Sequence, residues 1–141
     1  MKSTPEANRQ CADAVLMIRP ARFGANPETA ESNRFQQGGM DADAPEAARR
    51  EFDGLVEHLR DAGVAVEVAE DTPEPAKPDA CFPNNWISFH DDGSVVLYPM
   101  MAPSRRAERR AEPVAQLRDA GFHVARTIDL SPWEARGEFL E

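Results

Sequence analysis

Three observations predict a mixed α/β fold assembled from copies of one supersecondary unit. A helix–Gly–strand segment occurs twice at an offset of 58 residues: Val56, Leu59-Arg60-Asp61-Ala62-Gly63, Val66 and Asp71 recur as Val114, Leu117-Arg118-Asp119-Ala120-Gly121, Val124 and Asp129. A hairpin pattern precedes the second copy, and a continuous apolar run precedes the first. Self-similarity at a fixed period is the signature of an architecture that stacks like units to bury a shared core.

Taken in order, residues 1–12 are polar and read as a loose tail, leaving one domain over 13–141. Ala14-Val15-Leu16-Met17-Ile18, stopped by Arg19-Pro20, has the unbroken apolarity of a strand buried on both faces. The irregular stretch Ala21 to Met40 is long enough to be a functional or mobile loop. Its Asn26, Asn33 and Gln36 suit a binding loop, and simple solvent exposure explains them equally well. Pro45 opens a helix whose apolar face is Ala48, Phe52, Leu55, Leu59 and Ala62, and Gly63 ends it. Val64, Val66 and Val68 alternate with Ala65, Glu67 and Ala69 as in a strand with one buried face.

The connector Asp71 to Pro78 contains Pro73, Pro75 and Pro78 and is stiff. Trp86–His90 and Ser94–Tyr98 flank Asp91-Asp92-Gly93, whose Asp-Gly pair supplies the positive φ of a tight hairpin. A second helix is expected from Ser104, as N-cap, to Ala120, with Pro113 kinking it or splitting off its first turns. A strand over Phe122–Ile128 follows, and residues 137–141 look like another strand just beginning, so that the chain is expected to stop in mid-element.

A length of 141 residues suits one core, and 41% hydrophobic with 29% charged residues excludes wholesale disorder. The net charge of −9 argues against a nucleic-acid surface or an anionic membrane as partner. Two cysteines, with no CxxC and no suitably spaced His, exclude a disulfide scaffold and argue against a metal site, and no cofactor is implied. No signal peptide or membrane-spanning stretch is evident, which points to a cytoplasmic protein.

The chemistry-bearing stretch is Asp79-Ala80-Cys81-Phe82-Pro83-Asn84-Asn85-Trp86. It sets an acid and two adjacent carboxamides around a stiff proline, and each carboxamide offers one acceptor and two N–H donors to a small planar group. Cys81 is read as a small buried hydrophobe at a strand entry in preference to a nucleophile, since free Cys is so often buried. Cys11 is incidental. His58, His90 and His123 fall on a polar helix face, a turn and an outward strand position, none suited to a general base. Arg105 and Arg106 at a helix start are candidate anion ligands, while Arg109 and Arg110 make a solvated basic face equally plausible. Trp86 and Phe89 are expected in the core.

The chain resembles the N-terminal half of a pentein, the guanidino-modifying amidinotransferase superfamily, and is most similar to the citrulline-utilisation hydrolase (CtlX-type) branch. Residues that carry the resemblance include Met17-Ile18-Arg19-Pro20, Phe23-Gly24, Asn26-Pro27-Glu28-Thr29-Ala30, Phe35-Gln36, Asp79 through Trp86, Val96-Leu97-Tyr98-Pro99-Met100 and Phe139-Leu140-Glu141. It implies an α/β propeller of five ββαβ modules, about two of them present. It also implies C–N bond hydrolysis of a small amino acid by a nucleophilic Cys, with a His moving protons. Both of those positions fall outside this chain, so whether it is an enzyme by itself stays open, and alone it is expected to be inactive.

By residue-to-residue match, Asn85 falls at the substrate group with Asn84 beside it, and Glu141 falls at the catalytic carboxylate. Asp79 of the same stretch is a further substrate-binding candidate. Relatives use arginines for the substrate α-carboxylate, which makes Arg105 and Arg106 candidates for that role. Asn85 stands where many relatives have Asp. A carboxamide complements a neutral ureido group better than a cationic guanidinium, which favours a citrulline-like substrate. Amidino transfer and dimethylarginine hydrolysis are the alternatives, and a non-catalytic binding fragment is the alternative of another class. An exposed sheet edge would leave homo-oligomers open.

Overall fold

The computed structural model describes residues 11–30 and 42–140. Two β–α–β crossovers dominate it. In the first, β1 (Ala14–Arg19) runs parallel to β2 (Ala65–Glu70), paired from Ala14 with Ala65 to Arg19 with Glu70, with α1 (Ala44–Asp61) between them in sequence. In the second, β3 (Ile87–Phe89) pairs antiparallel with β4 (Ser94–Leu97), and β4 pairs parallel with β5 (Arg126–Asp129). Between β4 and β5 lie α2 (Pro103–Arg106) and α3 (Glu112–Asp119). A parallel pair cannot close through a tight turn, so a helix must carry each crossover.

The sequence repeat is a structural repeat. After α1, Gly63 at φ 86° lets its own N–H reach Arg60 O and the Val64 N–H reach Leu59 O, at 2.9 and 3.0 Å. After α3, Gly121 at φ 92° does the same toward Arg118 O and Leu117 O, at 3.0 and 2.9 Å. Each is a left-handed cap that satisfies orphan carbonyls and turns the chain back toward the sheet. Val56 and Val114, equivalent in the two copies, are both buried.

α1 buries Phe52 and Val56 against Val66, with Met17, Leu59 and Val68 beside them. Phe52 and Leu59 of the expected stripe face this core, while Val56 is buried in place of Leu55, which is half exposed. Only Ile18 of β1 is fully buried, in a cluster with Ala69 and Ala80 on the face away from α1, while Met17 on the other face packs against Phe52 and Val56. β2 buries residues on both of its faces, Val66 and Ala69, in place of a single alternating face. The second core joins Trp86, Ile87, Val95, Met100 and Val114. Phe89 is exposed, contrary to expectation, at the end of β3, which is an edge strand of its sheet.

The second helix is two pieces. Pro113 enters at the first turn of α3, where a missing N–H costs nothing, and α2 stands apart from it. Ala102, not Ser104, occupies the N-cap position of α2, since Ser104 turns its side chain to Glu28. β5 is shorter than the expected strand, and all four of its residues are exposed. Residues 138–140 form no strand; a 3₁₀ segment, Ser131–Arg136, closes at Gly137 with φ 71°. The hairpin turn is as expected, with Gly93 at φ 76°. Arg110 and Gln116 donate to Glu70 O and Val68 O at 2.7 and 2.9 Å, joining the second crossover to the open edge of β2.

Candidate functional site

The Pro-rich connector delivers the chain to the site through a buried ion pair. Lys77 Nζ lies 3.2 Å from Asp71 Oδ1, both side chains being 1% exposed. It donates to Thr72 O, Thr72 Oγ1 and Pro75 O at 2.8, 2.9 and 2.8 Å. Two residues later Asp79 begins the corner. Pro83–Asn85 form one turn of 3₁₀ helix, closed by Asn85 N–H to Phe82 O and Trp86 N–H to Pro83 O at 3.3 and 3.0 Å. Trp86 is buried directly behind it, so the turn is backed by core.

Asp79 is buried and accepts from Asn26 Nδ2 at 2.7 Å and from Thr29 Oγ1 at 3.5 Å. Asn26 Nδ2 also donates to Ser104 Oγ at 3.1 Å, while Asn26 Oδ1 accepts the Glu28 N–H at 3.1 Å. Glu28 Oε2 in turn accepts both the N–H and the hydroxyl of Ser104, at 2.9 and 2.6 Å. Those two bonds hold the Glu28 carboxyl below its usual range. Loop 21–30, the corner and the start of α2 are thus locked by one polar network, buried at Asn26 and Asp79 and exposed at Glu28, and connected networks of this kind fix a single geometry.

Arg105 lies across the corner. Its side chain is 6% exposed and pairs with Glu108 at 3.2 Å. Nη2 also donates to Asn85 Oδ1 at 3.2 Å and to Phe82 O at 3.3 Å. Arg106 donates to Met100 O and Met101 O at 2.9 and 3.1 Å and lies 3.4 Å from Glu134, keeping 35% side-chain exposure. Arg109 and Arg110 are partnered: Arg109 pairs with Glu134 at 2.6 Å, and Arg110 donates to Glu70 O of β2. Asn84 is exposed and Asn85 is half-buried.

Of the residues singled out in the sequence, the structure therefore brings together Asp79, Asn84, Asn85 and Arg105, with Arg106 on the next turn. Glu141, Asn33 and Gln36 lie outside the described residues. Glu28, Ser104, Glu108 and Glu134 were missed; only Glu108, at the i,i+3 spacing from Arg105, left a local signal.

Cys81 sits in the turn before the 3₁₀ segment, not at a strand entry, and is half-buried. Burial, aided by the nearby Asp79 and Glu108 charges, pushes its thiol up to about 11, so it is protonated at neutral pH and is a poor nucleophile. His58 bonds Gly54 O, His90 bonds Ser88, and His123 packs over Gly93, all three being exposed. Among the described residues no cluster of His, Cys, Asp and Glu could hold a metal ion, and no helix is long and apolar enough to cross a membrane. A separate apolar cleft of about 390 Å³ lies between Tyr98, Leu130, Trp133 and Phe139 and contains none of the corner residues.

Repeated crossovers with a rigid polar corner define a mixed α/β protein, consistent with part of a pentein. A family model described as N,N dimethylarginine dimethylhydrolase, eukaryotic, matches residues 19–141, and the chain belongs to that family. No curated protein and no solved structure matches the chain. The family relates the chain to hydrolases of guanidino groups and to a small amino-acid substrate.

Proposed function

We propose that residues 13–141 form the substrate-binding part of a hydrolase that cleaves a C–N bond in a guanidino or ureido amino acid. The observation that carries this is the corner itself. Two neighbouring carboxamides, Asn84 and Asn85, stand on a turn that is backed by Trp86 and tied through Asp79 to loop 21–30. Asp79 is buried and ties the turn to loop 21–30, and Glu141, by resemblance, is the catalytic carboxylate. Of the two arginines considered for the substrate α-carboxylate, Arg106 keeps the greater exposure. The family match supports N,N-dimethylarginine as substrate better than citrulline.

One observation favours the ureido reading as a second possibility: neither Asn84 nor Asn85 can supply the negative charge that a methylated guanidinium would meet. The test is titration of the full chain with N,N-dimethylarginine, arginine and citrulline, followed through the Asn side-chain amide signals in ¹⁵N NMR. Perturbation of Asn84 and Asn85 by any of the three supports the proposal, and none at millimolar ligand refutes it. Asn85→Asp should shift preference toward the cationic ligands; an unchanged preference removes the ureido reading.

A further inference from the structure

We propose that Asn26 is a positioning residue of the substrate site, a side chain that fixes the Asp79–Trp86 corner and the start of α2 relative to each other. This rests on the substrate-site reading above and adds to it a residue, from outside the corner, on which ligand affinity depends.

Asn26 is 1% exposed and lies in a stretch that is neither helix nor strand. A carboxamide buried that deeply is costly unless its donors and its acceptor are met. Its orientation follows from chemistry. The Glu28 backbone N–H can only donate, so the Asn26 atom 3.1 Å from it is the carbonyl oxygen and the other is the N–H₂ nitrogen. That nitrogen donates to Asp79 Oδ2 at 2.7 Å and to Ser104 Oγ at 3.1 Å. Both donors therefore leave the loop, one for the corner and one for α2. The backbone of Asn26 holds its own loop, with its carbonyl accepting the Thr29 and Ala30 N–H groups at 3.2 and 3.0 Å.

The contacts close a ring around the corner. Asn26 grips Asp79 at its beginning. Arg105 grips its far end, through Asn85 Oδ1 at 3.2 Å and Phe82 O at 3.3 Å. Arg105 follows Ser104 in α2, and Ser104 returns to Asn26. Losing Asn26 opens this ring at two joints together. The corner and the helix start that carries Arg105 and Arg106 then lack the side chain that joins them. Groups that recognise a small ligand must stay within about 0.5 Å of their productive positions, so slack at these joints weakens binding.

The experiment measures Kd of the full chain for N,N-dimethylarginine, through the Asn84 and Asn85 side-chain signals. The forms compared are the unsubstituted chain, Asn26→Ala, Asp79→Ala, the double variant and Ser104→Ala, with circular dichroism and urea unfolding to check each fold. Asn26→Ala is expected to raise Kd roughly tenfold, the usual scale for losing a hydrogen bond to a charged group. Because Asn26 acts partly through Asp79, the double variant is expected to lose less than the product of the two single effects. A purely structural role lowers urea stability and leaves Kd of the folded protein unchanged; that result overturns the inference and leaves the substrate-site reading intact. Single effects that multiply in the double variant also overturn it. Ser104→Ala removes only the half-buried joint and decides the matter where Asn26→Ala does not fold. It is expected to raise Kd roughly threefold, and an unchanged Kd overturns the inference. Absence of binding by the unsubstituted chain overturns the substrate-site reading, and the inference with it.

Discussion

Lys77→Met is the sharpest probe of how the site is held. The lysine Nζ supplies three hydrogen bonds to the connector and, among the described residues, the one cation within 4 Å of the Asp71 carboxylate, at 3.2 Å. Both carboxylate oxygens of Asp71 are buried and accept no hydrogen bond, so its compensation is that charge. At an effective dielectric of about 20, two unit charges at this spacing attract by about 5 kcal/mol before desolvation is counted. Removing one partner strands the other, and the expected loss is about 3–5 kcal/mol of folding stability. Lys77→Met with Asp71→Leu removes both charges and should recover most of it, because a buried pair is worth little against apolar packing of similar volume. Urea denaturation of the wild type, both single variants and the double variant gives the coupling directly. A Lys77→Met loss under about 1 kcal/mol, or a double variant no more stable than Lys77→Met, refutes the burial argument. The consequence reaches the site: Asp79 lies two residues beyond Lys77, so Lys77→Met should also broaden the Asn84 and Asn85 amide signals.

Gly93→Ala places a methyl group 2.5 Å from His123 Cδ2 and 3.1 Å from Ala125 Cβ at φ 76°. His123 can swing aside but the backbone cannot, so a loss of about 1–3 kcal/mol in denaturant unfolding is expected, with His123→Ala restoring only part. Arg19 holds the Asp53 carboxyl below its usual range by hydrogen bonding, and Ser94 does the same for Asp92. A depressed carboxyl stabilises the fold above its unfolded pKa and loses that contribution as pH falls through the folded value. Acid unfolding below about pH 4 should therefore flatten in Asp53→Asn and Asp92→Asn, and an unchanged slope would count against both contacts. β5 is exposed along its whole length beside Phe122 and Ile128, so sedimentation should show concentration-dependent association that Ile128→Lys reduces; a concentration-independent monomer would contradict this.

The local elements were legible because their causes are local. Gly63 and Gly121 end two helices at equivalent places, Asp92-Gly93 turns a hairpin, and Pro45 and Pro113 start helices, each through its own backbone restrictions. The repeat was legible for the same reason: both copies carry the cap that folds them back. Finer assignments failed where neighbours decide. Whether Leu55 or Val56 of α1 is buried depends on where β1 and β2 lie, and the exposure of Phe89 on its place in an edge strand.

By itself the sequence determined the α/β class, the doubled crossover unit and the Asp79–Trp86 corner as the place where chemistry concentrates, since composition, turn residues and apolar period act over a few neighbours. The tertiary structure alone decided what that corner can do. Asn26 meets Asp79 across 53 positions and Ser104 across 78, and Arg105 meets Asn85 across 20. Hydrogen bonds have directions that no spacing encodes, and the one from Arg105 decides which way the Asn85 carboxamide faces.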